Sequence, residues 1–167
     1  MKVALTGDVM LGRLVDQNVI RDKKQSPASL WGDVLPVFLS ADLRLINLEC
    51  VISTKGQKWN PEMKPFHFRA HPRALEFLQA ARVDGVTLAN NHVLDFGSDA
   101  LGDCLDLLNH AHIPHAGAGE LTQAAAAMFL PSPNGPIAVL ALTDNEPSWE
   151  ATDNQLGVNY VGRHPVV

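Results

Sequence analysis

Four side chains able to hold a divalent cation or to move a proton lie at the ends of three separate apolar runs. Asp8 follows Val3–Thr6 and Gly7, Glu49 follows Leu43–Leu48, and Asn91-His92 follows Val83–Ala89. The carboxylates of Asp8 and Glu49 offer hard anionic oxygens suited to a divalent metal. Asn91 adds a neutral amide oxygen, and His92 a ring nitrogen that can bind metal or exchange a proton. If the loops converge, two metal ions about 3.5–4 Å apart can share Glu49 and activate a water against a phosphate centre. Each residue also has a plainer role: Asp8 can cap the turn after Gly7, and Glu49 can be a surface carboxylate. Asn90-Asn91-His92 is less ordinary, because three polar groups at the end of an apolar strand need partners.

Asp95 is near enough in sequence to orient His92, or to accept backbone N–H groups in the Leu94–Gly97 loop. Asn47, just before Glu49, can support the carboxylates by hydrogen bonding or simply fill a turn. Arg13, and Arg69 between His67 and His71, can meet an acidic substrate through charge-assisted contacts, although exposure alone also explains them. His110, His112 and His115 would be scattered by a helix end and a strand, which argues against a zinc site there. No Gly-x-Ser-x-Gly elbow and no dinucleotide or Walker glycine pattern is present.

These residues need elements to position them. Val3–Thr6, Leu43–Leu48, Val83–Ala89 and Ile137–Leu142 read as buried strands, with short extended pieces at Phe66–Phe68 and Ile113–His115. Helices are expected over about Gly12–Ile20, over Ala28–Leu39 with Pro36 as a possible kink, and from Pro72 along the Leu75, Leu78 and Ala81 face. Ser98 is placed to cap a helix with a Leu101, Leu105 and Leu108 stripe, and Thr122 to cap an Ala-rich helix through Met128. Lys55–Lys64 and Pro131–Pro136 are loops, and no pattern continues past Thr143. Alternating strand and helix argues for parallel βαβ units in one α/β domain spanning 1–167, with functional groups outside the strand carboxyl ends.

The 167 residues are 46% hydrophobic and 19% charged, which is globular rather than disordered or membrane-embedded. Net charge is -5, but it is unevenly spread: Met1–Val83 holds 12 Lys/Arg against 8 Asp/Glu, and Asp84–Val167 holds 1 against 10. That balance excludes the usual basic nucleic-acid surface and leaves room for an electropositive rim beside an anionic substrate. Trp31, Trp59 and Trp149 form no basic-aromatic ribbon. Cys50 and Cys104 make no ligand or redox motif and read as buried free thiols. No signal-peptide core and no run long enough to span a bilayer is present, so a cytoplasmic location is expected.

The chain resembles the bacterial capsule-synthesis family CapA, also called the poly-γ-glutamate biosynthesis family, within the calcineurin-like metallophosphoesterase superfamily. The resemblance rests on Gly7–Arg13, Asn47-Leu48-Glu49, Phe66–Arg69 and Leu88–Gly97, and continues through Leu105–Gly119 and Ile137–Asp144. It implies a metallophosphatase-like sandwich of sheets flanked by helices, of which this chain is the N-terminal part. Asp8, Glu49 and Asn91 match metal ligands, with Glu49 able to bridge two divalent ions of Mn, Fe, Zn or Mg. His92 matches the group that contacts or protonates the leaving oxygen, and Asn47, Asn90 and Asp95 match supporting residues. The implied activity is metal-dependent hydrolysis of a phosphoester, or of an amide in an acidic polymer. The alternative is a non-enzymatic capsule- or polymer-binding or assembly protein, or an inactive fragment.

Relatives are much longer, and their later half supplies His-x-Gly and Gly-His-x-Pro motifs. Here only Arg163-His164-Pro165 suggests the latter, and it arrives early. An unfinished sheet would expose an edge that a partner, or a second copy of the chain, could cover.

Overall fold

The computed structural model describes residues 1–60 and 62–162; Pro61 and residues 163–167, and with them Arg163-His164-Pro165, lie outside the described residues. Three of the four apolar runs form the main sheet; the fourth does not join it, because the loop at Pro131–Pro136 folds Ile137–Val139 back as an antiparallel partner of Met128–Leu130, with Leu140 and Leu142 exposed. β1 (Val3–Val9), β2 (Leu43–Leu48), β5 (Gly85–Thr87) and β6 (His115–Ala116) make one sheet in the order β1-β2-β5-β6, with every neighbouring pair parallel. β3 (Val51–Ile52) and β4 (Arg69–Ala70) form a second parallel pair, β8 (Met128–Leu130) and β9 (Ile137–Val139) an antiparallel pair, and β7 (Ala118–Gly119) pairs antiparallel with β10 (Gly157–Val158).

Strand alternation divides the core into two layers. Ile46, Leu48, Val86 and Leu88 face α3 (Ala74–Ala80) and α4 (Gly97–His110), burying Phe77, Leu78, Leu101 and Leu108 completely. Leu43 and Ala116 face the other way and pack on Met128, Leu130 and Ala141. Each fully buried Leu or Phe contributes roughly 1.5–3 kcal/mol relative to exposure, so α4 is held to the sheet chiefly by its Leu stripe. The result is a mixed α/β fold with several sheets flanked by helices.

Several local expectations differ from the structure. β1 runs past the expected turn to Val9, and its register with β2 shifts between Leu5 and Asp8, where Gly7 has φ +69°. Glycine absorbs that irregularity without a Cβ clash, so Asp8 lies within the strand's last turn of pleat rather than in a loop. The first helix is only α1 (Arg13–Val15), continued by a π-turn over Asp16–Ile20, with Arg13 itself at φ +53°. Ala28–Leu39 is divided into a 3-10 turn at Pro27–Trp31 and α2 (Val34–Leu39), broken at Gly32 rather than kinked at Pro36.

Phe66–Phe68 is not a strand; pairing begins at Arg69. Phe96, not Ser98, occupies the cap position of α4, and Glu120, not Thr122, precedes α5 (Leu121–Ala125), where it forms a reciprocal capping box with Gln123. α5 stops at Ala125, because Met128–Leu130 finds strand partners in β9. Beyond Thr143 the chain still orders, through a 3-10 turn at Pro147–Trp149 that buries Trp149 and through β10. β1 is a sheet edge, with Val3 and Leu5 exposed. Among the described residues no helix is long and apolar enough to cross a membrane.

Candidate functional site

Parallel strands place their carboxyl ends side by side, and three of those ends are tied together here by side-chain hydrogen bonds. Asn47, at the end of β2, donates through Nδ2 to Asp8 Oδ1 at 2.7 Å. Its Oδ1 accepts from Thr87 Oγ1 at 3.1 Å and from Asn90 Nδ2 at 3.2 Å. Asn90 also donates to Leu48 O at 3.0 Å and accepts the His92 backbone N–H at 2.9 Å, which fixes the turn that presents the imidazole. Buried amides are thereby satisfied by one another. Asn47 and Asn90 organise the site.

His92 is buried, and its Nδ1 lies 2.7 Å from Asp95 Oδ2, which also accepts the Phe68 N–H at 2.6 Å. The Phe68 ring stacks on the imidazole with centroids 3.9 Å apart. A carboxylate on Nδ1 favours the tautomer carrying that proton and leaves Nε2 available. Nε2 is directed toward Glu49, 3.9 Å from Oε1. Glu49 is reached from β2 through its own N–H to Val9 O at 3.1 Å. Burial, and then the neighbouring charge of Asp8, push the Glu49 carboxyl above its ordinary 4.5, while His92 and Lys64 pull the other way.

Asp95 is fully buried, and its second oxygen, Oδ1, faces Lys64 Nζ at 3.3 Å without a hydrogen bond. Lys64 also donates to Asn91 O and to Glu146 Oε1 at 3.1 Å, and its ammonium lies 4.4 Å from the Trp149 ring centre. Lys64 is thus pinned to the floor of the site. Phe68 lay in the Phe66–Arg69 motif without a role, and no signal in the sequence tied Lys64, Glu146 or Trp149 to the site, because their meeting depends on contacts distant along the chain.

Asp8, Asn47, Glu49, Asn90, His92 and Asp95 are therefore brought together. The Asn91 side chain is half-buried beside them and makes no hydrogen bond among the described residues. Arg13 is exposed, its guanidinium 5.6 Å from the ring centre of Phe66, which lies two residues before Phe68 in the sequence. Arg69 lies elsewhere: it stacks on Phe96 at 4.0 Å and donates from Nη1 to Lys55 O at 3.1 Å. His71 has a structural part, its N–H bonded to Asp16 Oδ1 and its Nδ1 accepting from Arg73 N. His110 and His115 reach Asp106 O and Asn109 Oδ1. An apolar hollow of about 220 Å³ adjoins Asp8 and runs over Leu11, Val15, Leu30 and Trp31, but includes neither Glu49 nor His92.

The donor chemistry of Asp8, Glu49, Asn91 and His92 suits a divalent cation, yet the arrangement does not complete a metal centre. Among the described residues no three His, Cys, Asp or Glu side chains gather at metal-binding separation, and the near Asp8 oxygen is already engaged by Asn47. What the described residues can do unaided is offer hydrogen-bond acceptors at Asp8 and Glu49 and exchange a proton at His92 Nε2, with Asp95 holding the ring.

A probable polyglutamine synthesis accessory protein of Mycobacterium tuberculosis is 35% identical over 147 aligned residues, covering 70% of this chain and 38% of its own length. The PGA biosynthesis protein CapA of Bacillus subtilis is 26% identical, covering 86% of this chain and 37% of its own. The capsule biosynthesis protein CapA of Bacillus anthracis is 25% identical, with 86% and 35% covered. The chain thus spans little more than a third of the length of these relatives. The model of the bacterial capsule synthesis protein family PGA_cap matches residues 2–165, and the chain belongs to that family.

Proposed function

We propose that this chain serves capsule or poly-γ-glutamate production as a polymer-binding accessory component, with the Asp8, Glu49 and His92 pocket meeting the acidic polymer's backbone. The observation that carries this reading is membership of the capsule synthesis family in a chain whose described residues gather no three His, Cys, Asp or Glu side chains at metal-binding separation. Asp8 and Glu49 accept hydrogen bonds from chain amide N–H groups, and their charge repels the polymer's own carboxylates from the pocket. Those carboxylates turn outward to an exposed cation, a part this reading gives to Arg13 beside Phe66. The same reading assigns the fold to the calcineurin-like metallophosphoesterase type. Its support is a parallel sheet with polar groups collected at the strand ends.

One observation favours a second reading, a hydrolase acting on a phosphoester or a γ-glutamyl amide. The buried His92–Asp95 pair points Nε2 at Glu49, an arrangement that can transfer a proton to a leaving group. That reading calls for a divalent metal. One experiment separates the two: calorimetric titration of the chain, held in EDTA, with a short γ-linked glutamate oligomer, alongside a hydrolysis panel supplied in turn with Mn, Fe, Zn and Mg. Metal-independent binding without turnover is expected. Metal-dependent turnover abolished by Asp8→Asn would establish the hydrolase instead.

A further inference from the structure

Arg69 leaves the pocket because of where β4 starts. Successive side chains of an extended segment point to opposite sides, so while Phe68 covers His92, Arg69 projects into a separate open cleft of about 390 Å³ lined by Gly56, Gln57, Lys58, Arg69 and Phe96. That lining holds two cations and no carboxylate, in a chain of net charge -5.

The guanidinium is positioned in advance. The Phe96 ring lies 4.0 Å beneath it and Lys55 O fixes Nη1, leaving its other nitrogens without a protein acceptor among the described residues. The Arg69 backbone is itself clamped, paired with Val51 on one side and so close to Gly12 that a Cβ there would lie 3.0 Å from Arg69 N. The facing loop is equally constrained. Gly56 has φ +76°, and a Cβ on it would come within 2.0 Å of Phe96 O. Lys55 is neutralised by Asp103 at 2.8 Å, whereas Lys58 is exposed and makes no hydrogen bond or ion pair among the described residues.

We propose that the Arg69–Lys58 cleft is an anion subsite, separate from the His92 pocket, that takes a side-chain carboxylate of an acidic polymer. A planar guanidinium with free N–H groups accepts a carboxylate in a defined orientation, and a mobile ammonium opposite it completes the charge. The choice of a carboxylate over a phosphate rests on the polymer-binding reading above; the cleft itself rests on geometry alone. Two contacts on one chain, at the pocket and at the cleft, raise the effective concentration of the second.

The test uses the full chain and two probes, glutarate followed by amide chemical shifts, and the γ-linked glutamate oligomer followed by calorimetry, with inorganic phosphate as comparator. Glutarate is expected to shift the Gly56, Gln57 and Lys58 amides, and Lys58→Gln is expected to weaken the oligomer about tenfold, with affinity falling as salt rises. Lys58 is exposed and unpartnered, so that variant keeps the fold; Arg69→Gln serves as the second variant wherever its thermal midpoint matches the parent. Oligomer binding unchanged in both variants overturns the subsite while leaving the polymer reading standing. If the oligomer fails to bind but glutarate still shifts the cleft amides in the parent and not in the variants, the subsite stands and the polymer reading falls. Phosphate displacing glutarate from the cleft with higher affinity overturns the carboxylate assignment.

Discussion

Asp95→Asn is the change that most sharply probes the site's construction. Asp95 is fully buried and carries three neighbours: the Phe68 N–H at 2.6 Å, His92 Nδ1 at 2.7 Å and Lys64 Nζ at 3.3 Å. Hydrogen bonds to a charged group are worth about 1.5–3 kcal/mol, and neutral ones about 1. An amide oxygen at the Oδ2 position can still accept from Phe68 and His92, so each of those bonds loses roughly 1 kcal/mol. On the other side an amide NH₂ would face the Lys64 ammonium, removing one of its two carboxylate partners. Removing one member of a buried pair costs about 3–5 kcal/mol, but Lys64 keeps Glu146 and Asn91 O, so about 1–2 kcal/mol is assigned here. The sum is roughly 3–4 kcal/mol, or a thermal midpoint lower by about 6–16 °C for a chain of this size.

Urea unfolding followed by tryptophan fluorescence measures it, since Trp149 lies against Lys64. A Lys64→Met/Asp95→Asn cycle should return a coupling of about 1–2 kcal/mol. A single-mutant loss below about 1 kcal/mol, with no coupling, would refute the claim that Lys64 and Asp95 hold the loop to the site.

Gly56→Ala should destabilise by about 1–3 kcal/mol, from positive φ and the close Phe96 carbonyl, and a thermal shift assay checks it. Hydrogen bonds from Lys55 and Ser53 hold the Asp103 carboxyl below its ordinary 3.8. Its contribution is therefore fully present above that value and is lost as pH falls through the lower folded value. Asp103→Asn should flatten the acid limb of the stability curve between those two points. The Cys50 and Cys104 thiols, both fully buried, are pushed up to about 12. Neither should react with a thiol reagent at mildly alkaline pH in the native chain, and both should react in denaturant.

The parallel sheet and its polar strand ends were legible because its strands read as short, nearly continuous apolar runs, and the polar residues that end those runs stand out. The convergence of Asp8, Glu49 and His92 followed from that pattern once the strands were taken as parallel. Shorter elements were not legible in the same way. Met128–Leu130 is too short for its period to show whether it is helix or strand, and only its pairing with Ile137–Val139 decides. The position of Asp8 inside β1 depends on a register shift at Gly7, which composition does not mark. Lys64 looked like an exposed loop lysine; its burial depends on Asp95, Glu146 and Trp149 meeting it from distant parts of the chain. Arg69, read with the pocket, belongs to the opposite side because pleat direction turns on where β4 begins.

Polymer binding at the strand-end pocket is best tested by calorimetric titration of the EDTA-treated chain with the γ-linked glutamate oligomer, comparing the parent with Arg13→Gln. Saturable binding, weakened in Arg13→Gln, is the predicted result. Absence of binding, together with metal-dependent hydrolysis that Asp8→Asn abolishes, would contradict it and establish this member of the family as an enzyme.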